Sequence, residues 1–152
     1  MPEFIDPIVA NVIAVLRART PALLDAVALP NFVDFGKQFT GITVNFPSVW
    51  VMPVRTLFGA EMQQGRHEEH QVTVKFGVSS SEPDAVTQAA VDYMVVIDRA
   101  LSDSDPADWT SLLQGGQVLR VFVQSHDYGA LLGRGSAIAR FPELDLVVET
   151  ME

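Results

Sequence analysis

From His70 to Val78 the chain alternates: Val72, Val74, Phe76 and Val78 fall on one parity, and Gln71, Thr73 and Lys75 on the other. Successive side chains of a strand point to opposite faces, so this segment buries one face and wets the other. The cover for the buried face follows at once. Ala85, Val86, Ala89, Ala90, Tyr93, Val96, Ile97, Ala100 and Leu101 recur at intervals of three and four residues, which places them on one side of a helix from Pro83 to Leu101. Ser81 and Asp84 read as a capping box at its start, with Pro83 in the first turn. The matched periods predict one core made by Val72, Val74, Phe76, Ala89, Tyr93 and Ile97.

The elements on either side can be read in the same way. Asp6 and Pro7 open a helix whose apolar residues are Ile8, Val9, Val12, Ile13, Val15 and Leu16, and Pro21 is expected to end it. Thr20 and Pro21 repeat the start signal for a second short helix carrying Leu23, Leu24 and Val27 up to Pro30. Phe32, Phe35 and Phe39 are expected as anchors under a loop. Ile42, Val44 and Phe46 alternate as a strand, and Pro47 and Pro53 bracket the β-rich stretch Ser48 to Met52. The polar run Gly59 to Glu69 is expected as a long mobile loop. Asp105, Pro106 and Asp108 open a short turn with Trp109, Leu112 and Leu113, closed by Gly115 and Gly116. Val118 to Gln124 and Ala137 to Glu149 are the last strands, joined by a loop with Gly129, Gly133 and Gly135. Strands and helices are segregated in this order, which predicts an α+β fold. The expected architecture is one domain over residues 1 to 152: an antiparallel or mixed sheet of four to five strands, packed by helices on one face, with an amphipathic helix at the N-terminus.

Charge and composition narrow the function classes. With 10 Lys and Arg against 19 Asp and Glu in 152 residues, the formal charge is -9. Direct nucleic-acid binding is disfavoured, because its affinity comes from cations that displace counterions from phosphates. The sequence contains no cysteine, which excludes disulfides and thiolate metal sites. The longest apolar run, Ile8 to Leu16, is interrupted by Asn11 and closed by Arg17, so neither a membrane span nor a membrane partner is expected and the protein is read as soluble. Glu3 and Asp6 stand where a secretory leader carries basic residues.

The candidate chemistry is sparse. His67, Glu68, Glu69 and His70 gather ligand types, but the histidines are three apart at a strand mouth, not four apart on a helix, and a solvated charged loop end is the preferred reading. His126 and Asp127 could form a base and its orienting carboxylate, yet neither Ser125 nor Ser136 sits in a nucleophile elbow. The glycines from Gly129 to Gly135 match no phosphate-binding pattern. Asp103, Asp105 and Asp108 lack the glycine and the terminal glutamate of a calcium loop. Trp50 and Tyr93 are expected in the core and Tyr128 at the surface; the scattered aromatics form no stacking platform. No catalytic residue, metal site or cofactor is expected.

The layout of the whole chain resembles that of phage tail terminator proteins. The features that carry the resemblance are the helix Asp6 to Arg17, the words Phe46-Pro47-Ser48-Val49-Trp50-Val51, a long loop, the strand His70 to Val78, the helix Pro83 to Leu101 with Tyr93 inward, and the closing Leu144-Asp145-Leu146-Val147-Val148-Glu149. It implies a non-enzymatic virion protein. Such a subunit forms a homohexameric ring that ends the tail tube and joins it to the neck, with tail tube protein and a neck or head-completion protein as partners, after assembly in the host cytoplasm. The negative charge suits a lumen that lets DNA pass. Ring contacts are expected on two segments, through Phe58, Met62 and Arg66 around the first loop and Leu131, Leu132 and Arg134 in the second. A small cytoplasmic ligand-binding or enzymatic α+β domain is the alternative. It would need polar clusters on the apolar strand faces, where Val, Leu and Phe stand instead.

Overall fold

The computed structural model describes residues 5–36, 46–62, 65–104, 109, 117–134 and 137–151. Within them the order is α1 (Ile5–Ala26), β1 (Asp34–Gly36), β2 (Ser48–Met62), β3 (Gly65–Ser80), α2 (Pro83–Ser102), β4 (Gln117–Asp127), β5 (Leu132–Arg134), β6 (Ala137–Arg140) and β7 (Glu143–Met151). The fold is α+β, and the sheet has seven described strands where four to five were expected. Its main body runs β1-β2-β3-β7-β4. β1 lies parallel to β2, and every other pair is antiparallel. β3 carries two partners on one edge, β7 along His67 to Lys75 and β6 along Val78 to Ser80, and β5 extends β6.

The alternation of β3 does what its period requires. Val72, Val74, Phe76 and Val78 are buried, as are Val49 and Val51 of β2 and Leu144, Leu146 and Val148 of β7, and this face receives both helices. Val86, Ala90, Tyr93, Val96, Ile97, Ala100 and Leu101 of α2 complete the core together with Met94. Of the six residues expected in one core, five are fully buried and Ala89 is partly buried against the same cluster. Phe76 lies 6.4 Å from Phe32 and 6.3 Å from Tyr93 between ring centroids. The Tyr93 hydroxyl donates to the Pro30 carbonyl at 2.6 Å, and burial pushes its pKa up to about 12. Tyr93→Phe should leave that carbonyl without its partner and cost about 1 kcal/mol, read from urea denaturation of the two proteins.

Three expectations are corrected here. Pro21 does not divide the N-terminal region; α1 passes through it as one helix of 22 residues. Ile8, Val12, Leu16, Thr20 and Leu24 form a buried stripe at four-residue intervals that crosses Pro21, so the packing surface continues where the backbone loses a donor. Thr20 Oγ1 turns back to the Leu16 carbonyl at 2.6 Å. As one helix, Pro7–Ala26 is long and apolar enough to cross a membrane, although half of it is buried within the fold. The second correction concerns Ser81 and Asp84. The N-cap of α2 is Glu82, with Pro83 following and no side-chain cap; its N–H donates to the Ser80 hydroxyl at 3.3 Å.

The third correction concerns Gly59 to Glu69, which is no long loop. β2 and β3 extend through it as one hairpin, paired from Ser48↔Gly77 to Met62↔Gly65. Its polar residues satisfy one another across and along the strands, Arg55 with Gln71 at 2.8 Å and Arg66 with Glu68 at 3.0 Å. Elsewhere the strand expected from Ala137 to Glu149 is two, β6 and β7, and the loop before it contains β5. Phe32 is a buried anchor as expected, while Phe35 belongs to β1. The strand expected from Ile42, the anchor Phe39, and the turn from Asp105 apart from Trp109 lie outside the described residues.

The opposite face of the sheet holds a smaller aromatic group, in which Phe141 lies 5.9 Å from Phe46 and 6.3 Å from Trp50. Gly36 makes room for Trp50: a Cβ there would stand 2.7 Å from the indole Cδ1. Gly36→Ala should therefore cost about 1 to 3 kcal/mol through overpacking, and an unchanged urea midpoint would show that the indole moves aside freely.

Candidate assembly surface

The surface is built on the far half of the β2–β3 hairpin and on the segment after β4. Among the described residues, β1 pairs with Ser48 to Trp50 on the outer edge of β2. Beyond it, Val54, Leu57 and Phe58 are exposed, Phe58 to 55%. Arg66, diagonally across on β3, lays its guanidinium 4.6 Å from the Phe58 ring centroid and pairs with Glu68. Phe58 and Arg66 are thus brought together as one stacked, solvent-facing pair. Met62 closes the described part of β2, paired with Gly65.

Beneath this pair lies a buried polar group. Glu68 and His70 share the parity of Val72, so strand alternation carries them inside, and they are 2% and 1% exposed. The solvated loop end expected for His67 to His70 is corrected accordingly. His70 Nδ1 lies 3.1 Å from the Thr56 hydroxyl and Nε2 3.0 Å from the Thr150 hydroxyl. Burial lowers its pKa to about 4, so the ring is neutral near pH 7. Glu68 Oε2 accepts no hydrogen bond and stands 3.4 Å from His70 Nε2. No group of three metal-ligand side chains occurs among the described residues.

On the second segment Asp127 caps the turn, its Oδ1 accepting from the Gly129 N–H at 2.8 Å, and Gly129 takes the left-handed φ of 66° that favours glycine. Arg140 holds the turn from β6 by donating to the Tyr128 and Gly129 carbonyls at 3.4 and 3.3 Å. Leu131 and Leu132 project beyond it, Leu132 to 53% exposure, and Arg134 ends β5. Tyr128 is exposed and Trp50 and Tyr93 are buried, as expected.

The other sequence candidates fall apart into structural pairs. His126 is partnered not by Asp127 but by Asp98 of α2, Nε2 to Oδ2 at 2.6 Å, which fastens β4 to the helix. Asp98 also accepts from the Ser102 hydroxyl at 2.7 Å. The Ser125 hydroxyl donates to Asp145 at 2.9 Å, and Ser136 lies outside the described residues. Asp103 is the C-cap of α2.

A chain of a gene transfer agent particle has this fold. It belongs to a structure described as the virion of a native gene transfer agent particle, and superposes with a TM-score of 0.66 over 100% of both chains at 12% sequence identity. At that identity the likeness is one of fold. No protein family matches the sequence, and no curated protein does.

The sequence reading missed Leu57 and Val54 at the hairpin edge and the interior position of His70 and Glu68. The parity of the β3 strand, carried two steps toward the N-terminus, was the available signal for the latter pair.

Proposed function

We propose that this chain is a structural protein of a phage-like virion, and within it a subunit of the ring that ends the tail tube and joins it to the neck. The observation that carries the reading is the fold shared end to end with a chain of a virion particle. The N-terminal helix, the strand through His70 to Val78, the helix with Tyr93 inward and the closing strand support it, because these are among the features that carry the resemblance to tail terminators, whereas the long loop among those features is a hairpin instead. The protein acts by assembly and carries no catalysis. Six copies form the ring, one face meeting the tail tube protein and the other a neck or head-completion protein in the virion, after assembly in the host cytoplasm. A charge of -9 per subunit suits a channel that repels passing DNA. Contacts between subunits use Phe58, Met62 and Arg66 at the hairpin and Leu131, Leu132 and Arg134 on the second segment, where exposed apolar area and cations meet an acidic neighbour.

Native mass spectrometry with negative-stain microscopy of the purified chain tests this directly. The expected result is a closed ring of six copies with an open centre. A chain that stays monomeric at high concentration, alone and with tail tube protein, would remove the ring reading. Amide exchange tests the second segment separately: residues 128–133 should exchange rapidly in the free subunit and slowly in the ring. Equal exchange in both states would take that segment out of the contact.

A further inference from the structure

The main sheet ends in two edges that no described strand covers, and they match. On one side Val54 to Phe58 of β2 extend past the short cover of β1. On the other, β4 pairs with β7 alone among the described strands, which leaves Leu119 to Ser125 with an outer edge there. Backbone donors and acceptors in an open edge are a template for another strand, and proteins commonly blunt such edges with charge. The charges within these edges, Arg55 and Arg120, are each held by a neighbouring strand of the same chain, through Gln71 and Glu149, and beside them stand apolar side chains: Leu57 is 43% exposed, Leu119 40%, and Val54 and Phe58 more than half.

Direction and level also agree. Four antiparallel strands, β2-β3-β7-β4, separate the two edges, so β2 and β4 run in opposite senses. Copies related by rotation about a ring axis keep the same orientation. The β2 edge of one copy therefore meets the β4 edge of the next antiparallel, the better-bonded arrangement, and the alternation of the sheet passes unbroken from copy to copy. The ladder rows place the edges at one height. Thr56, His70, Val148 and Val121 form one row, and Met52, Thr73, Asp145 and Ser125 another. Pro53, which lacks an N–H, marks where the pairing segment begins. A contact between two different edges of one chain is head to tail, and it closes into a ring when the rotation allows.

We infer that subunits of this protein join by strand pairing, the β2 edge from Val54 to Phe58 against the β4 edge from Leu119 to Ser125 of a second copy. The inference rests on the ring reading above and adds to it which surfaces meet and in what sense. Leu57 and Phe58 of one copy are covered by Leu119, Phe122 and Val123 of the next, and the sheets merge into one continuous wall.

Because the native chain has no cysteine, single thiols report the contact cleanly. The double variant Leu57→Cys with Leu119→Cys, treated with a short bismaleimide whose reach tolerates a shift of register, should give a covalent ladder that ends at the ring size. Each single variant should give no product above background. Dimers from Leu57→Cys alone would show β2 against β2 and overturn the inference. Leu57→Lys and Leu119→Lys provide the second measurement. Both sites are exposed in the subunit, so the thermal midpoint of the monomer should hold, while the concentration for half-assembly rises about tenfold or more for each. Rings that form undiminished with both lysines in place would overturn the edge pairing and leave the ring reading standing. A native chain that is monomeric at every concentration would overturn both.

Discussion

Replacing Phe76 with alanine should cost about 3 to 5 kcal/mol of folding stability. The ring is fully buried at the middle of β3, between Phe32 from the segment after α1 and Tyr93 from α2, with centroid separations of 6.4 and 6.3 Å. The truncation removes the apolar area that those rings cover and leaves a cavity. Its walls belong to three elements fixed by other contacts: β3 by its ladders, α2 by its buried face, and Phe32 by its own packing on Tyr93 at 5.1 Å. Such walls collapse poorly, which places the cost toward the upper part of the range. Lys75→Ala, one residue away on the wet face, removes a partly exposed ion pair to Glu143 at 3.2 Å and should cost less than about 1 kcal/mol. Urea denaturation of both variants checks the pair. A Phe76→Ala loss below about 1 kcal/mol, or equal costs at the two sites, would mean that the faces of β3 are assigned the wrong way round.

That contrast shows where the sequence was legible and where it was not. Period two in β3 and period three to four in α2 are local signals enforced by one large packing surface, so the core they define came out as read. Pro21 and the run Gly59 to Glu69 misled because local chemistry was outweighed by tertiary order. At Pro21 the buried stripe from Ile8 to Leu24 carries the helix through a residue that would end an isolated one. In the hairpin, Arg55, Arg66, Glu68 and Gln71 look like loop residues in a linear reading. Across a ladder they become partners, and that pairing depends on residues up to 16 positions apart. The candidate assembly surface was legible in part. Phe58 and Arg66 drew attention through residue type, and the structure stacks them. Leu57 and Leu119 did not, because an edge is a property of the whole sheet: only the pairing of the described strands, β1 with Ser48 to Trp50 and β4 with β7, distinguishes them from ordinary strand leucines.

Acid should weaken the fold through His70 before the carboxylates titrate. Burial lowers the pKa of this imidazole from 6.5 to about 4, because both ring nitrogens are enclosed between the Thr56 and Thr150 hydroxyls, which suit a neutral ring. The sign follows from proton counting. Between pH 6.5 and 4 the unfolded chain holds a proton on His70 that the folded chain lacks, so stability is complete above 6.5 and falls as pH drops through that window. The loss should reach about 2 kcal/mol at pH 5 and about 3 kcal/mol at pH 4. The Glu68 carboxyl, with Oε2 3.4 Å from Nε2, faces the ring and would favour an imidazolium, which makes these values upper limits. His70→Gln keeps an amide able to donate and accept in the same place and does not titrate. Its stability at pH 7 should fall modestly, while its slope between pH 7 and 5 should be flatter than that of the native chain by most of the 2 kcal/mol. Parallel slopes for the two proteins would mean that water or Glu68 already accommodates the charge. The packing of this corner, on which Phe58 and Arg66 sit, would then be looser than its burial implies.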